Sequence, residues 1–298
     1  MMAQHIADGV LTGAILSLGA IGVTLSMSVL RFANFGHSEL ITWGAYAALV
    51  FLAFTGLGQP LWELSVGWQF FAAAPVAGAL TGLLAVAIDT LVFARLRRRS
   101  AARLTMIFAS FGAALVLRNI AMLAFGGEPA YYTRELQMAV EALPGVRVMA
   151  DQVMVLAVTL AAVTLLFGFL KFTRTGLAMR AIAETPVLAE ISGINAARVA
   201  RWTWVLSGAL AALAGMLFGL TVQLRPEMGF TLLLPLFAAA ILGGAGSVAG
   251  AVAGGFIIGL AENLSVMVIS PGYKSAVPFM LMLVILYLRP AGLFGARK

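Results

Sequence analysis

Eight polar side chains are the candidates for chemistry in this sequence, because they stand within or between long apolar stretches: Asn34, His37, Ser38, Glu39, Arg118, Asn119, Glu262 and Asn263. They occur in the segments RFANFGHSEL (31–40), ALVLRNIAML (114–123) and IIGLAENLSV (257–266). A charged side chain at membrane depth costs at least about 2.5 kcal/mol, so it faces the protein interior, finds a partner or marks a transport path. We therefore predict that these residues line a substrate pathway.

The segment 31–39 admits two interpretations. It can be a broken helix at membrane depth, which is tolerated only where it is buried in protein or lines a wet cavity, and which often forms a transport site. Alternatively, Asn34 or Ser38 caps the second helix and Glu39 lies in its first turn, where the helix dipole favours an anion. The two are compatible, because a capped half-helix is how such sites are built.

Arg118 and Glu262 also admit two interpretations. From the direction of their helices, both fall in the outer half of the membrane. They can form a structural ion pair, which we favour, or one of them can lie on the substrate path. Asp89, near the end of another apolar run, is interpreted as an interfacial side chain that reaches toward water.

No constellation of catalytic residues is visible. The sequence has no HExxH motif, no paired intramembrane aspartates and no Gly-x-Ser-x-Gly motif. It has no cysteine and only two histidines, His5 and His37, which leaves neither a thiolate site nor a histidine-rich metal site. The glycine-rich stretch 243–255 is not a phosphate-binding loop, because no Gly-Lys-Ser/Thr follows it. We predict no catalytic residue, no metal and no cofactor.

Composition places the polar candidates in lipid-embedded helices. Of 298 residues, 62% are hydrophobic and only 10% are charged, whereas soluble domains carry about 25% charged residues. This excludes a soluble enzyme and a disordered chain. A membrane-crossing helix needs about 20 mostly apolar residues, and apolar runs lie near 9–30, 40–56, 69–93, 104–125, 152–172, 203–222, 232–247, 251–268 and 276–288. We predict an all-α, polytopic membrane helix bundle of about 8–10 spans, some discontinuous, as a single domain over 1–298.

Basic residues indicate the orientation of this bundle, because cytoplasmic loops carry an excess of Lys and Arg. With nine spans, one side holds Arg31 and three clusters: Arg95, Arg97, Arg98, Arg99 and Arg103; Lys171, Arg174, Arg180, Arg198 and Arg201; and Arg289, Arg297 and Lys298. The opposite loops are mainly acidic: Asp8, Glu63, Glu128, Glu135, Glu141, Asp151 and Glu227. The pattern predicts an exterior N-terminus and a cytoplasmic C-terminus, and it accounts for the net charge of +7 without nucleic acid. The first run lacks a preceding basic segment and is predicted to be a retained helix.

Glycines recur at four-residue spacing, which puts both members of a pair on one helix face. The pairs are Gly9/Gly13, Gly78/Gly82, Gly215/Gly219, Gly246/Gly250, Gly250/Gly254 and Gly255/Gly259. Such pairs let two helix backbones approach closely. We expect tight helix packing at these positions, and consider sliding of transporter helices as the functional alternative.

The loop 173–202 carries the sharpest local signal. Thr185 is positioned as an N-cap, Pro186 suits a first helical turn, and Gly193 can end a helix in the left-handed conformation. The pattern predicts one short cytoplasmic helix over Val187–Ser192. It can be an ordinary connector, or it can dock into the groove of a partner.

Four segments in order give the chain a resemblance to the permease subunits of branched-chain amino acid ABC importers. They are LRFANFGHSELITWGAY (30–46), GLAMRAIAETPVLAEISGINAARV (176–199), FAAAILGGAGSVAGAVAGGFIIGLAENL (237–264) and RPAGLFG (289–295). There are departures. Gly36 and Ser38 stand where the family commonly has Ala and Gly, and Arg118 stands where it often has Gln.

The resemblance implies a division of labour in a bacterial inner membrane. Two related permease subunits form the pore, two cytoplasmic ATPases dock on the coupling helices, and a periplasmic binding protein delivers the substrate. It places the ATPase contact at six residues: Glu184, Ala189, Glu190, Gly193, Ile194 and Asn195. It also places Asn34, His37, Ser38 and Glu39 near the pathway.

The leading hypothesis is therefore a non-enzymatic permease subunit of an ATP-driven importer for branched-chain or related amino acids. Related permeases handle urea, short amides or other small acids, so these substrates stay open. An autonomous secondary transporter or channel also explains intramembrane polar residues, but it explains the short cytoplasmic helix less well. An intramembrane enzyme is a weak hypothesis, because it needs a catalytic pair that the sequence does not offer.

Overall fold

The computed structural model describes residues 2–133, 137–289 and 291–295. Glu135, Arg297 and Lys298 of the charge pattern and Pro290 of the C-terminal segment lie outside the described residues. Twelve α-helices are assigned within these ranges: α1 (Met2–Leu25), α2 (Gly36–Thr55), α3 (Trp68–Ile88), α4 (Ala94–Arg98), α5 (Arg103–Phe125), α6 (Ala150–Phe172), α7 (Arg174–Glu184), α8 (Pro186–Ile191), α9 (Ala196–Thr221), α10 (Met228–Gly243), α11 (Val248–Ser265) and α12 (Val277–Leu288). The predicted all-α class is confirmed.

Shorter elements extend or join these helices. π-helical turns continue α1 over Ser26–Leu30 and α3 over Asp89–Phe93, and a 3₁₀ turn over Pro271–Ala276 leads into α12. Between α5 and α6, strands β1 (Val140–Leu143) and β2 (Val146–Val148) form an antiparallel hairpin. The long loop predicted between the fourth and fifth runs thus has a structure of its own.

Within the described chain, eight helical segments are long and apolar enough to cross a membrane: Met2–Leu30, Gly36–Thr55, Trp68–Arg98, Arg103–Phe125, Ala150–Phe172, Ala196–Thr221, Val248–Ser265 and Pro271–Leu288. The run expected near 232–247 forms the shorter apolar helix α10 of 16 residues. Counting α10, nine helices correspond to the nine apolar runs of the sequence.

The membrane-spanning helices divide by burial into two sets. The inner set is α1, α2, α9, α10 and α11, and the outer set is α3, α5, α6 and α12. In the apolar windows of Met2–Leu30 and Ala196–Thr221, 78% and 67% of the residues are buried, against 28% in Arg103–Phe125 and 6% in Pro271–Leu288. The exposed faces of the outer helices carry large apolar side chains such as Phe108, Leu165 and Leu283. Lipid is as apolar as these side chains, so such faces need no protein partner in a membrane.

The inner set packs through the predicted glycine pairs. A Cβ atom at Gly9 would lie 2.9 Å from Leu260 Cα, and one at Gly13 would lie 2.7 Å from Phe256 Cα. On the partner helix, a Cβ at Gly259 would collide with the backbone of Gly13. The close approach of α1 and α11 therefore requires glycine on both sides, and the prediction of tight packing is confirmed here.

Two sets of loops mark the two ends of the bundle. At one end, Arg31 contacts the α7–α8 junction, and a cavity of about 630 Å³ is lined by Leu30, Arg97, Ile182 and Arg201 among others. We call this the basic end. At the other end, which we call the opposite end, the Gln4 amide donates to the Arg147 carbonyl oxygen, and Ala130 pairs with Leu224.

Asp89 corrects an expectation at the basic end. Its side chain is 3% exposed, and Arg97 Nη2 donates to both carboxylate oxygens, at 2.7 and 2.9 Å. The interpretation as an interfacial residue reaching toward water is wrong, because α4 folds the Arg97 guanidinium back onto Asp89. The pair links two successive turns of the continuous helical segment Trp68–Arg98.

Asp151 holds the loops of the opposite end together. It lies in the first turn of α6 and accepts from the backbone N–H and the hydroxyl of Ser65 and from the Gln137 amide. In the same region, the Tyr132 hydroxyl donates to the Ala45 carbonyl oxygen at 2.7 Å. Burial raises the pKa of Tyr132 well above its usual range, so this phenol stays neutral and keeps its donor.

Candidate substrate pathway and coupling helix

Helix α2 begins beside the interior of α5. The backbone N–H of Phe35, directly before α2, donates to Ser110 Oγ at 3.1 Å. Ser110 is the eighth residue of α5, about 10 Å along the axis at 1.5 Å per residue. The chain thus turns into α2 at the depth that the broken-helix interpretation expects, although α2 itself has 20 residues and is long enough to cross a membrane.

The capping interpretation holds for Asn34 and not for Ser38. Asn34 Oδ1 accepts from the Gly36 backbone N–H at 3.1 Å, at the start of α2. Ser38 lies inside α2 and its Oγ donates to the Phe35 carbonyl oxygen at 3.1 Å, so it does not cap the helix. Glu39 lies in the first turn of α2, where the positive end of the helix dipole favours a carboxylate. We refer to this start of α2, residues 34–39, as the half-helix.

Burial at this half-helix is nearly complete. Asn34, His37, Ser38 and Glu39 are each at most 1% exposed. Among the described residues, Glu39 Oε2 lacks a hydrogen-bond partner, and the ring nitrogens of His37 make no hydrogen bond of standard geometry, although the Gly19 backbone acts on the ring. An unpaired buried polar group costs about 1–3 kcal/mol. Two such groups at a broken helix mark a place where polar chemistry is kept despite its cost.

The His37 ring lies against α1. A Cβ atom at Gly22 would overlap the imidazole, so only glycine leaves room for the ring at this crossing of α1 and α2. The Ser207 carbonyl oxygen of α9 lies close by, 3.3 Å from the same Cβ position. His37 is therefore enclosed by three helices of the inner set.

Arg118 faces α10 and α2. Its guanidinium lies over the Phe230 ring, 4.8 Å from the centroid, and it acts electrostatically on the Glu39 carboxylate. Asn119 turns to the exposed face of α5 and donates to the Leu115 carbonyl oxygen of its own helix at 2.7 Å. The structure thus brings Arg118 to the half-helix and leaves Asn119 outside it.

An aromatic cluster of Phe35, Phe111 and Phe237 lies on the basic-end side of Glu39. The rings of Phe35 and Phe237 stack at 4.8 Å, and Phe111 meets Phe35 edge-on at 6.2 Å. These distances are typical of favourable ring pairs. The three rings come from the start of α2, from α5 and from α10, so they close the space between these helices. In the sequence, the only sign of this cluster is that its three members are phenylalanines.

Glu262 and Asn263 lie at a different place. They are 7% and 8% exposed on α11, and the Asn263 amide donates to Thr12 Oγ1 at 3.1 Å and accepts from Lys274 Nζ at 3.0 Å. The cation acting on the Glu262 carboxylate is Lys274. The hypothesis of an Arg118–Glu262 ion pair is wrong. Helix α11 packs on α1 and α10, whereas Arg118 is directed to Phe230 and Glu39.

The predicted short helix in loop 173–202 is α8, and it ends as expected. Gly193 has φ +86°, its N–H donates to the Glu190 carbonyl oxygen at 2.9 Å, and the Ile194 N–H donates to the Ala189 carbonyl oxygen at 3.0 Å. This pair of bonds is the Schellman motif, which carries an apolar contact between the residues in the places of Ala189 and Ile194. Ala189 is 4% exposed and Ile194 is half-buried, so both anchor α8 to the bundle.

The outer face of α8 includes apolar residues beyond the six that the resemblance places in the ATPase contact. Of the six predicted contact residues, Glu184, Glu190, Gly193 and Asn195 are exposed, and the Asn195 side chain caps α9 by accepting from the Arg198 N–H. The apolar side chains Val187, Leu188 and Ile191 are also exposed, at 73%, 61% and 79%. The sequence contained this signal as three apolar residues in a charged loop.

The described residues contain no cluster of three or more His, Asp or Glu side chains that could hold a metal ion. An all-α bundle with eight apolar helical segments of membrane-crossing length among the described residues defines a multi-pass membrane protein.

The family model described as "Branched-chain amino acid transport system / permease component" matches residues 5–286. The chain therefore belongs to this family.

Several relatives are similar over nearly their whole length. The high-affinity branched-chain amino acid transport system permease protein LivH of Escherichia coli K12 is 30% identical, over 98% of this chain and 95% of its own. LivH of Salmonella typhimurium is 31% identical, and BraD of Pseudomonas aeruginosa is 30% identical, each with the same coverage. A solved structure, PsaBC from Streptococcus pneumoniae in complex with Fab, is 15% identical with a TM-score of 0.48, over 97% of this chain and 92% of that one.

Proposed function

We propose that this chain is the transmembrane permease subunit of an ATP-driven ABC importer for branched-chain or related amino acids. The names of the relatives support the substrate class. In this proposal a second, homologous permease subunit completes the pore, two cytoplasmic ATPase subunits hydrolyse ATP, and a periplasmic binding protein delivers the substrate. The chain itself catalyses no reaction.

The observation that carries the proposal is the exposed apolar face of α8. Val187, Leu188 and Ile191 point away from the bundle at the basic end, on a helix that Ala189 and Ile194 anchor from behind. Large apolar side chains exposed outside the membrane-spanning helices favour a protein partner. An amphipathic helix that enters a groove is a common form of such recognition. The ATPase subunits are that partner.

The orientation follows from the charges. Within the described residues, Arg31, the α4 arginines, Arg174 and Arg180 of α7, and Arg201 of α9 belong to the basic end. Cytoplasmic loops carry the excess of Lys and Arg. We therefore assign the basic end to the cytoplasm, which puts the N-terminus outside the cell, and with nine crossings the C-terminus inside.

The substrate pathway in this proposal runs between α2, α5 and α10. An α-amino acid is a zwitterion, and Arg118 and Glu39 offer the opposite charges that would receive its carboxylate and its ammonium group. The nearby aromatic cluster is suited to a branched apolar side chain. The presence of both charges favours a zwitterion over urea, a short amide or a simple acid. Glu262 and Asn263 stand outside this pathway.

Reconstitution tests the proposal. The permease, purified with the proteins that accompany it, is placed in proteoliposomes with radiolabelled leucine, and uptake is measured with and without ATP and the binding protein. We expect uptake only with both. Uptake by this chain alone, driven by an ion gradient, would identify a secondary transporter. ATP-driven uptake of urea but not leucine would keep the importer and replace the substrate.

A further inference from the structure

Arg31 has a strained backbone. It follows the π turn that ends α1, and its φ is +63°, in the left-handed region. That region is unfavourable for a residue other than glycine, because it brings Cβ too close to the following carbonyl oxygen. The other described residues of this kind with positive φ are Trp62 and Ser100. Such strain persists only where surrounding contacts hold it in place.

The side chain of Arg31 supplies those contacts. Its Nη2 donates to the carbonyl oxygen of Ala183 at 2.7 Å and to that of Glu184 at 3.4 Å. These are the last two residues of α7, where carbonyl groups lack helical partners and a cation interacts favourably with the helix dipole. Helix α8 begins two residues later, at Pro186. The Arg31 side chain is therefore hydrogen-bonded to the junction between α7 and α8.

The main chain of Arg31 leads to the aromatic cluster. Only residues 32–34 separate Arg31 from Phe35, whose ring stacks on Phe237. Phe32 packs on Phe93 at 5.0 Å, and Asn34 turns the chain into α2. A shift of the Arg31 backbone therefore acts on Phe35 through only three residues, two of which, Phe32 and Asn34, are themselves held by buried contacts.

We propose that Arg31 is the positioning residue that couples α8 to the aromatic cluster. This inference rests on the proposed function. A shift of α8 by a docked ATPase moves the α7 carbonyl groups and releases Arg31 from their hold. Arg31 then leaves the left-handed region, and segment 32–35 draws Phe35 away from Phe237 and Phe111. The two-state element is the Arg31 backbone, which is strained in the closed arrangement and relaxed in the open one.

Two variants separate this role from a merely structural cap. Arg31→Gly removes the guanidinium and the strain together, whereas Arg31→Lys keeps a cation that can reach one carbonyl oxygen. Ser100→Gly is the matched control. Ser100 has φ +51° at the same end of the bundle, and its only described hydrogen bond runs from its N–H to the Arg97 carbonyl oxygen. The Ser100→Gly substitution therefore relieves backbone strain without breaking a contact to α7.

The first readout is uptake per ATP hydrolysed in the reconstituted complex. We expect Arg31→Gly to bind the ATPases and hydrolyse ATP, while uptake per ATP falls at least about fivefold, the lower range of coupling between sites. Arg31→Lys should recover part of it, and Ser100→Gly should match the parent. An unchanged ratio in Arg31→Gly would overturn the proposal. That result would leave the proposed function intact. Absence of any ATPase from the parent complex would instead overturn the proposed function, and this inference with it.

The second readout does not depend on transport. The chain has no cysteine, so Ser110→Cys introduces a single thiol at a fully buried site whose hydroxyl contacts the Phe35 N–H. We expect ATP-bound ATPase to accelerate alkylation of this thiol when Arg31 is present and not in Arg31→Gly. Equal acceleration in both backgrounds would show that the motion bypasses Arg31.

Discussion

The guanidinium of Arg118 lies over the ring of Phe230, with the carboxylate of Glu39 as the anion in its field. Helix α5 thereby presents a cation to the start of α10, at the opposite end of the bundle, beside an acidic residue of α2. Cation–π contact and the nearby carboxylate hold the charge without a direct ion pair. A ligand with its own carboxylate can then compete for Arg118.

Arg118→Gln is expected to lower leucine uptake about 10- to 100-fold, the value of a charge-assisted hydrogen bond of about 1.5–3 kcal/mol. Uptake of leucinamide, which lacks the carboxylate, should fall much less. The measurement is competitive uptake of the two compounds by the reconstituted complex. Arg103→Gln, an exposed residue at the start of the same helix, is the control. An equal loss for both compounds would contradict a carboxylate-binding role.

Ile191→Asp is expected to abolish co-purification of the ATPases while leaving the thermal stability of the permease unchanged. Ile191 is 79% exposed on α8, so its apolar surface is lost to the partner and not to the fold. Val268→Asp is the matched control, since Val268 is 89% exposed at the opposite end. Retention of the ATPases by Ile191→Asp would remove the apolar face of α8 from the docking surface.

Gly13→Ala is expected to destabilise the bundle by about 1–3 kcal/mol, the usual cost of overpacking. The added Cβ meets the α11 backbone, with Phe256 Cα at 2.7 Å and the Gly255 carbonyl oxygen at 3.1 Å, and backbone atoms cannot move aside as a flexible side chain can. Gly168→Ala on α6 should be neutral or stabilising, because nothing lies within 4 Å and alanine favours helix over glycine by about 1 kcal/mol. Unfolding midpoints in detergent measure both. A midpoint for Gly13→Ala equal to that for Gly168→Ala would argue against the close α1–α11 contact.

Asp151→Asn is expected to loosen the opposite end by about 1–3 kcal/mol, because an amide cannot accept from all the donors that the carboxylate serves. Those donors are the Ser65 N–H and hydroxyl and the Gln137 amide. Protease cleavage within 126–149 should accelerate together with a lower unfolding midpoint. Asp8→Asn, whose carboxylate accepts from the nearby Gln4 side chain, serves as the comparison. Identical cleavage in the two variants would deny Asp151 its anchoring role.

Predictions from sequence succeeded where one residue type has one physical meaning. Runs of apolar residues identified the helices, glycine pairs identified helix faces that pack closely but not their partner helices, and Pro186 with Gly193 bounded α8. The predicted ion pair between Arg118 and Glu262 was wrong because the sequence of an apolar helix does not show which neighbouring helix its polar residue faces. Asp89 was misplaced because its partner, Arg97, reaches it only through the fold of α4.

Other features depend on the tertiary arrangement. Arg31 was placed in a basic loop by its charge, but its left-handed backbone and its bonds to α7 follow from the packing of segments about 150 residues apart in the chain. The aromatic cluster likewise joins rings from three elements. In an apolar helix the sequence does not show whether a phenylalanine faces lipid or another helix. Sequence patterns carry no register between distant helices.

The pairing of α1 with α11 also fixes the order of events during synthesis. The glycine face of α1 emerges first from the ribosome, and its partner is made roughly 240 residues later, which takes about 12–50 s at bacterial and eukaryotic translation rates of about 5–20 residues per second. Through that interval α1 resides in the membrane with its closest contact missing. The α1–α11 contact therefore forms only after α11 is made, and a chain truncated before α11 leaves the glycine face of α1 without this partner helix.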